Sequence, residues 1–495
     1  FGGGGGGGGG GPPPPPPPPP PHPGLTPLKA EDPQFSKFKQ GVKNMLEIDD
    51  VTKDVDAAWV REMYENPSEE DMAAGRQALL SGSVGGEMPI QIAKARGASF
   101  WDQTGREYID CTSQAWSLNV GACHPKVMAA VKEQLNYFTH VRTSFETMPR
   151  LMLTKRLAEI APGDLNRVNY CLHASNAIEG ALKLAMREHP DRKYFIAPWD
   201  SFSGRTLAGI SLSYPHPWPF LNYTGNTVRV PQGYCYRCPY ARTYPECDLF
   251  CVKMMGEHIE NSVDGQPLAF IMEPIEASGG MIDFPKPYYQ AIRELCDKYD
   301  MLLIWDEVQT GFGRLGTMFA SELYETVPDI LCFGKALGGG FPIAGHLSRD
   351  GLKGFEPGDH SFTFAHFPVS LVAAIATLRV LEEEGLLERA QKVGAYFTQK
   401  LLEMKDKYEL IGDVRGPGLM LGIELVYNKK TKERARKEAY QFEVEGIKRG
   451  VLFGNSKYAG MGNVVKIKPP LVITDAQAEK VMEVFEEIVQ VLSPS

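Results

Sequence analysis

Two short apolar runs end in residues able to do chemistry. Met301-Leu302-Leu303-Ile304-Trp305 leads into Asp306 and Glu307, and Asp329-Ile330-Leu331-Cys332-Phe333-Gly334 leads into Lys335. Runs this short and this apolar predict parallel strands covered on both faces. Open α/β sheets gather their ligands beyond the C-terminal ends of such strands. An isolated Lys-x-x-Gly-Gly match is ordinarily a solvated lysine before a flexible loop. Here an acid and a lysine terminate successive strands, and the lysine is followed by Ala336-Leu337-Gly338-Gly339-Gly340-Phe341-Pro342. A desolvated lysine amine adds to an aldehyde to give a Schiff base, and a carboxylate keeps a ring nitrogen protonated so that the ring draws electrons. Pyridoxal-5′-phosphate chemistry requires that pair.

The run Asp306-Glu307-Val308-Gln309-Thr310-Gly311-Phe312-Gly313-Arg314, with Lys335 twenty-nine residues beyond Asp306, resembles the class III (ω-amino acid type) pyridoxal-phosphate-dependent aminotransferases. The resemblance extends from about Pro89 to the C-terminus. It implies an α/β fold of the PLP-dependent transferase type I, in which a large domain with a mostly parallel sheet joins a small α+β domain built from both chain ends. It also implies a homodimer, or a dimer of dimers, with active sites at the subunit interface.

The resemblance also implies roles for particular residues. Lys335 would be the Schiff-base lysine and proton carrier, and Asp306 would pair with the pyridinium nitrogen. Gln309 would bond the ring hydroxyl, with a plain strand-to-loop polar residue as the alternative. Glu273, opening Glu273-Pro274-Ile275-Glu276, would orient neighbours of the ring. The phosphate needs backbone N–H groups at a helix start. Leu172-His173-Ala174-Ser175-Asn176-Ala177-Ile178-Glu179 precedes a helical pattern, so Ala174, Ser175 and Asn176 are the candidates. By itself this stretch reads first as an ordinary Ser/Asn helix cap. Relatives carry Ser-Gly-Thr-Glu there, so this cradle is altered in detail. Phe202, in Phe202-Ser203-Gly204-Arg205-Thr206, matches the aromatic stacked on the ring, where a lone Phe would be core. Thr363 matches the threonine that reaches the phosphate in the partner subunit, where a lone threonine would be a strand end.

The substrate end departs from the family pattern. Relatives that bind α-carboxylates carry an arginine shortly before Pro-Pro, whereas this chain reads Val465-Lys466-Ile467-Lys468-Pro469-Pro470. Lys466 cannot make the planar bidentate grip of an arginine, although its point charge suits a carboxylate or phosphonate. A solvated strand lysine is the competing reading. The acid that gates that arginine is replaced by Ser278. Trp116 aligns with an aromatic lining the pocket of relatives that act on ω-amino acids and simple amines, with a core tryptophan nearly as good an account. Cys235, Cys238, Cys247 and Cys251 lie within seventeen residues. This spacing, looser than paired C-x-x-C knuckles, fits a structural metal, two disulfides or free thiols in an ordered insertion.

These residues need elements to hold them. Ser99 to Cys111 predicts a hairpin turning at Gln103-Thr104-Gly105. His124-Pro125 opens an amphipathic helix through Val127, Ala130, Val131 and Leu135. Strands are expected at 193–198 and 268–273, a strand-rich stretch at 408–425, and helices at 369–384, 387–405 and 475–492. The expected organisation is a low-complexity leader at 1–24, an N-terminal segment with part of the small domain at 25–112, a large cofactor-binding domain at 113–375 with a Cys-rich insertion at 233–252, and a small domain at 376–495. The leader is ten glycines and ten prolines after Phe1, a composition that cannot build a core.

The whole chain has 495 residues, 43% of them hydrophobic, and a net charge of −9. That supplies ample core and no broad attraction for nucleic acid or anionic membrane. No apolar stretch approaches the roughly 20 residues that span a bilayer, and no signal-like leader is present, so a cytoplasmic enzyme is expected. Nine cysteines in so long a chain are not a disulfide framework. Five of them (Cys111, Cys123, Cys171, Cys296 and Cys332) read as buried thiols.

The expected reaction moves an amino group from an amine or (ω-)amino acid to a keto acid such as pyruvate. The same constellation serves a lyase eliminating phosphate or ammonia from a phosphorylated or phosphonate amine, or an amino-acid racemase, because the cofactor stabilises any of these carbanions. A non-catalytic scaffold is a third class, disfavoured by the joint presence of Lys335, Asp306 and Gln309.

Overall fold

In the computed structural model, which describes residues 50, 52, 56–65, 68–79, 90–213, 226–456 and 461–493, the short apolar runs do become strands. The chain separates into two units, 1–55 and 56–495. In the first, Asp50 Oδ1 accepts hydrogen bonds from Thr52 N and Oγ1. The glycine–proline leader lies outside the described residues. All that follows concerns the second unit.

Seven strands form the central sheet: β1 (Arg167–Cys171), β2 (Phe195–Pro198), β3 (Thr227–Val230), β4 (Ala269–Met272), β5 (Leu302–Asp306), β6 (Ile330–Phe333) and β7 (Ala344–Ser348). Their order is β1-β7-β6-β5-β4-β2-β3. The pairs from β6 through β3 are all parallel, and only β7 runs against its two neighbours. β2, β4, β5, β6 and β7 are buried at every position, and all but β7 accordingly read as nearly unbroken apolar runs rather than alternating ones. Trp305, Ile304, Leu331 and Phe333 are fully buried. The sheet is the type I architecture expected, with one antiparallel strand that no single run announces.

Of the three smaller sheets among the described residues, two draw on the ends of the chain. Near the N-terminal side, Ile92–Arg96, Ser99–Asp102 and Glu107–Asp110 pair in antiparallel fashion. Val451–Leu452, from far along the chain, joins Ile109 and Asp110 in parallel. Ile411–Arg415, Leu421–Asn428, Val464–Ile467 and Gly454–Asn455 form the C-terminal sheet. The long helices Pro368–Glu383, Leu386–Lys407 and Asp475–Leu492 fall within two residues of their expected bounds. The last is closed by a capping box between Thr474 and Gln477. In the helix Pro125–Tyr137 the buried face runs through Val127, Val131 and Gln134, while Leu135, expected on it, is exposed. Four of the five cysteines read as buried are so; Cys123 is exposed, on a loop residue with φ +49°. No helix among the described residues is long and apolar enough to cross a membrane.

The insertion after β3 ties the central sheet to the C-terminal one. Arg237 Nε lies 2.5 Å from Glu424 Oε1, and Arg415 Nη1 lies 2.9 Å from Glu424 Oε2. The Tyr234 hydroxyl donates to the same carboxylate, and Lys432 Nζ donates to the Tyr236 carbonyl at 2.7 Å. Glu424 is fully buried. Burial pushes its carboxyl up, but Arg415, Tyr234 and Arg237 together outweigh that and hold it below the usual carboxylate range.

Candidate active site

β5 and β6 lie side by side in parallel, with Asp306 opposite Cys332. Their C-terminal ends therefore deliver Asp306 and Lys335 to one edge, where both border a cavity of about 540 Å³. Lys335 begins a short 3₁₀ turn to Gly338 and sits in the left-handed region at φ +43°. Burial pulls its ammonium down to about 8 against the opposing pull of Asp306 and Glu273. Burial likewise raises Asp306 to about 6, against a hydrogen bond from Val308 N (3.0 Å) and the charge of Lys335. Glu273 stands behind this pair. Burial and the nearby Asp306 push it up to about 8, and its oxygens accept from Phe202 N at 2.8 Å and Ala277 N at 3.3 Å.

The opposite wall is the start of the helix Ala174–Glu188. Its N-cap is His173, which makes no side-chain capping bond, so the Ser/Asn-cap reading does not hold. The first N–H groups of a helix have no intrahelical acceptor, and those of Ala174 and Ser175 border the cavity. Asn176 is not on the cavity wall; its carbonyl accepts from His360 Nε2 at 2.9 Å. Phe202, Gly204 and Arg205 close the side. Ser175 Oγ accepts from Arg205 N at 3.3 Å. Gly204 has φ +110°, and a Cβ there would stand 2.4 Å from Ser175 Oγ. Gln309 borders the cavity and is buried, with its Oε1 lacking a hydrogen-bond partner among the described residues.

Pyridoxal phosphate fits these residues. The cavity is roomy enough for a ring and a phosphate, and the helix start with a glycine-lined side matches an anion site. The orphaned Gln309 oxygen waits for a donor such as a ring hydroxyl. Asp306 and Lys335 supply the acid and the amine.

Trp116 lies beside the cavity rather than on its wall, half-buried, with Lys335 Nζ 5.3 Å from its ring centroid. Two further ammonium groups face the same ring, Lys466 at 5.6 Å and Lys468 at 3.5 Å. Lys466 is therefore no solvated strand lysine. It is buried, and its Nζ has no hydrogen-bond or ion-pair partner among the described residues. Burial pulls it down to about 7, resisted by Glu273 and reinforced by Lys335 and Arg415. Lys468 was missed in the sequence, although two lysines two residues apart on a strand share a face. Its Nζ donates to the Thr112 carbonyl at 2.7 Å.

Several expected residues are not brought to this cavity. Ser278 is buried behind Glu273, its carbonyl taking a 2.7 Å bond from Ser456 Oγ. Thr363 is exposed and does not border the cavity of its own chain. Cys235, Cys238, Cys247 and Cys251 surround one small cavity of about 20 Å³ together with aromatic side chains that include Tyr240 and Tyr288. They are free thiols, and no group of three or more His, Cys, Asp or Glu among the described residues is placed to hold a metal. The structure thus shows neither the metal site nor the two disulfides. Burial raises Cys235 and Cys251 to about 11, which keeps them protonated.

Comparison with known proteins gives the same picture. The sequence model described as "Aminotransferase class-III" matches residues 81–489. The leucine/methionine racemase of Thermococcus litoralis is 35% identical over 406 residues, covering 81% of this chain and 90% of that protein. The 5-aminovalerate aminotransferase DavT of Pseudomonas aeruginosa is 35% identical over 431 residues, covering 84% and 97%. An amine transaminase from an uncultivated Pseudomonas species, solved in its PLP-bound form, superposes with a TM-score of 0.75 at 27% identity, covering 84% of this chain and 98% of that one.

A methyl group at position 204 intrudes on Ser175 and on the side wall. Gly204→Ala is expected to weaken pyridoxal phosphate binding by about tenfold or more, read by titrating the cofactor-free protein with the cofactor. An unchanged affinity removes Gly204 from the cradle.

Proposed function

The chain belongs to the class-III aminotransferases, a family of pyridoxal-phosphate enzymes, and we propose that it transfers an amino group from an amine or ω-amino acid to a keto acid such as pyruvate. The observation that carries this reading is the parallel pairing of β5 and β6, which ends Asp306 and Lys335 at one edge of one cavity. In this reading Lys335 Nζ holds the cofactor aldehyde, Asp306 the ring nitrogen's proton, and Gln309 the ring hydroxyl. Ala174 and Ser175 hold the phosphate through backbone N–H groups, with Asn176 braced behind them. Phe202 covers the ring face, and Glu273 positions it through the Phe202 backbone. When bound, the cofactor supplies an electron sink that acidifies the Cα proton of the attached amine. Once displaced from the aldehyde by the substrate amine, Lys335 Nζ would be the free base that takes that proton and returns it within the cavity, a task suited to an amine whose pKa lies near neutrality. Lys466 anchors a carboxylate or other anion of the substrate as a point charge, and Trp116 forms the apolar wall beside it. Ser278 contributes space rather than a gating charge.

The large domain spans 113–375 and the small domain 376–495 together with the N-terminal strands, a division supported by Val451 pairing with Ile109. A homodimer, alone or doubled, is the assembly proposed, in the cytoplasm. Phe145, Met148, Met152 and Phe364 expose apolar surface, Phe364 directly after Thr363, and a second subunit covering it would bring Thr363 to a neighbouring cofactor. A second reading, an amino-acid racemase, is favoured by the Thermococcus litoralis relative and by Lys466 as a second buried amine facing the ring that Lys335 faces.

A screen of amines, each with and without pyruvate, separates these readings. For transamination, an amine bleaches the visible cofactor band, and pyruvate restores it as alanine appears. Inverted stereochemistry without transfer marks a racemase, and released ammonia or phosphate marks a lyase. Lys335→Ala is expected to lack the wild-type band.

Uptake of pyridoxal phosphate by the cofactor-free protein requires Lys335 in its neutral form. Its rate is expected to rise with pH and level off above about 8. An ordinary lysine would keep climbing beyond pH 10, which stopped-flow absorbance distinguishes.

Lys466→Met is expected to raise KM for carboxylate-bearing donors by about tenfold or more and to leave simple amines nearly unaffected. Equal effects on both classes remove Lys466 from carboxylate recognition.

A further inference from the structure

Trp116 is held in an improbable backbone. Ser113, Gln114, Ala115 and Trp116 have φ of 46°, 43°, 60° and 66°, four consecutive non-glycine residues in the left-handed region. Each such residue is disfavoured by its Cβ, and a run of them persists only where the surroundings over-determine it. Part of that determination is local. The buried Asp110 accepts from Thr112 N and Oγ1 at 2.7 Å and from Gln114 N and Nε2 at 3.2 Å.

The rest converges on Arg314, the last residue of the run that begins at Asp306. Its side chain is fully buried, and no carboxylate pairs with it among the described residues. Instead Nη2 donates to Ser113 Oγ at 3.0 Å and to Asn119 Oδ1, bracketing the left-handed run at both ends. Nη1 donates to the Leu419 carbonyl at 3.1 Å and the Pro469 carbonyl at 2.5 Å. Ser113 Oγ in turn donates to the Lys468 carbonyl at 2.8 Å, and Leu471 N to the Asn119 carbonyl at 2.8 Å. One guanidinium thus laces the Trp116 turn to the segment that carries Lys466 and Lys468. A buried arginine bonded only to neutral acceptors is costly. A lysine could not span the same four acceptors, because it lacks the planar fork.

We propose that Arg314 is a positioning residue: it touches neither substrate nor cofactor, but fixes the Trp116 ring against the nitrogens of Lys335, Lys466 and Lys468 and so sets the electrostatics of the substrate wall. This rests on the cofactor reading above, because its readout is the lysine-bound cofactor. An aromatic face stabilises a nearby cation. Displacing it therefore lowers the pH at which the lysine-bound cofactor loses its proton.

The test compares Arg314→Lys, Ser113→Ala, Trp116→Leu and the double variant Arg314→Lys/Trp116→Leu as holoenzymes, by pH titration of the visible cofactor band. Folding is checked by circular dichroism and bound cofactor by release assay. Arg314→Lys and Ser113→Ala are expected to move the midpoint down by about half a pH unit, in the same direction as Trp116→Leu. The double variant is expected to move it no further than Trp116→Leu alone, because both changes act through one ring. A folded, loaded Arg314→Lys with the wild-type midpoint overturns the proposal, as does a double variant whose shifts add. If Arg314→Lys fails to fold, Ser113→Ala decides by the same midpoint. A wild-type protein with no cofactor band overturns both this inference and the functional reading; a normal wild-type band with unmoved variants overturns this inference alone.

Discussion

Everything at the site follows from one hydrogen-bonded register. Because β5 and β6 are parallel neighbours, their C-terminal ends stop at the same edge, and an acid and an amine separated by twenty-nine residues meet without either being carried on a flexible loop. The layers of helix over both faces remove water from that edge. Desolvation then moves the lysine down and the carboxylates up until both sit near neutrality. The register supplies proximity, and burial supplies the tuning. The glycines after Lys335 and at position 204 supply the room.

Much of this was legible from residue order, for identifiable reasons. Strands buried on both faces leave unbroken apolar runs, so β5 and β6 and the residues ending them could be read directly. The last helix announced itself by Thr474 and Gln477, a capping pair visible in one dimension. What could not be read was whatever depends on residues distant in sequence. The antiparallel sense of β7 leaves no mark on its composition. Leu135 has the type and spacing of a core residue, but the buried face of its helix passes through Gln134 instead. Asn176 sits next to two residues of the cradle, yet it does not border the cavity. The cysteines show the limit most plainly. Their spacing allowed three chemical states, and it did not show that all four line one small cavity among aromatic side chains.

The substrate end has a different character from the cofactor end. Around the cofactor the charges are mixed, with Lys335 among Asp306 and Glu273. Around Trp116 cations predominate, with three lysines facing one ring and Arg314 bonded to its turn, against the carboxylate of Asp110 in the same turn. Burial above all lowers the proton affinity of Lys466 and Lys468, and the like charges beside them lower it further. An incoming anion relieves that crowding. On the proposed reading, Lys466 in place of the family's arginine exchanges a directional grip for one set by the local potential.

The tie between the insertion and the C-terminal sheet bears on how far the molecule can open. Glu424 is fully buried and holds Arg237 from one sheet's insertion and Arg415 from its own. Sliding the two sheets apart would strip that buried carboxylate of Arg237 and Tyr234 and leave it the Arg415 of its own sheet, at about 1.5–3 kcal/mol for each bond lost. At thermal equilibrium the parted form would then make up fewer than about one molecule in a hundred. The tie thus makes the segment after β3 and the C-terminal sheet move as one piece.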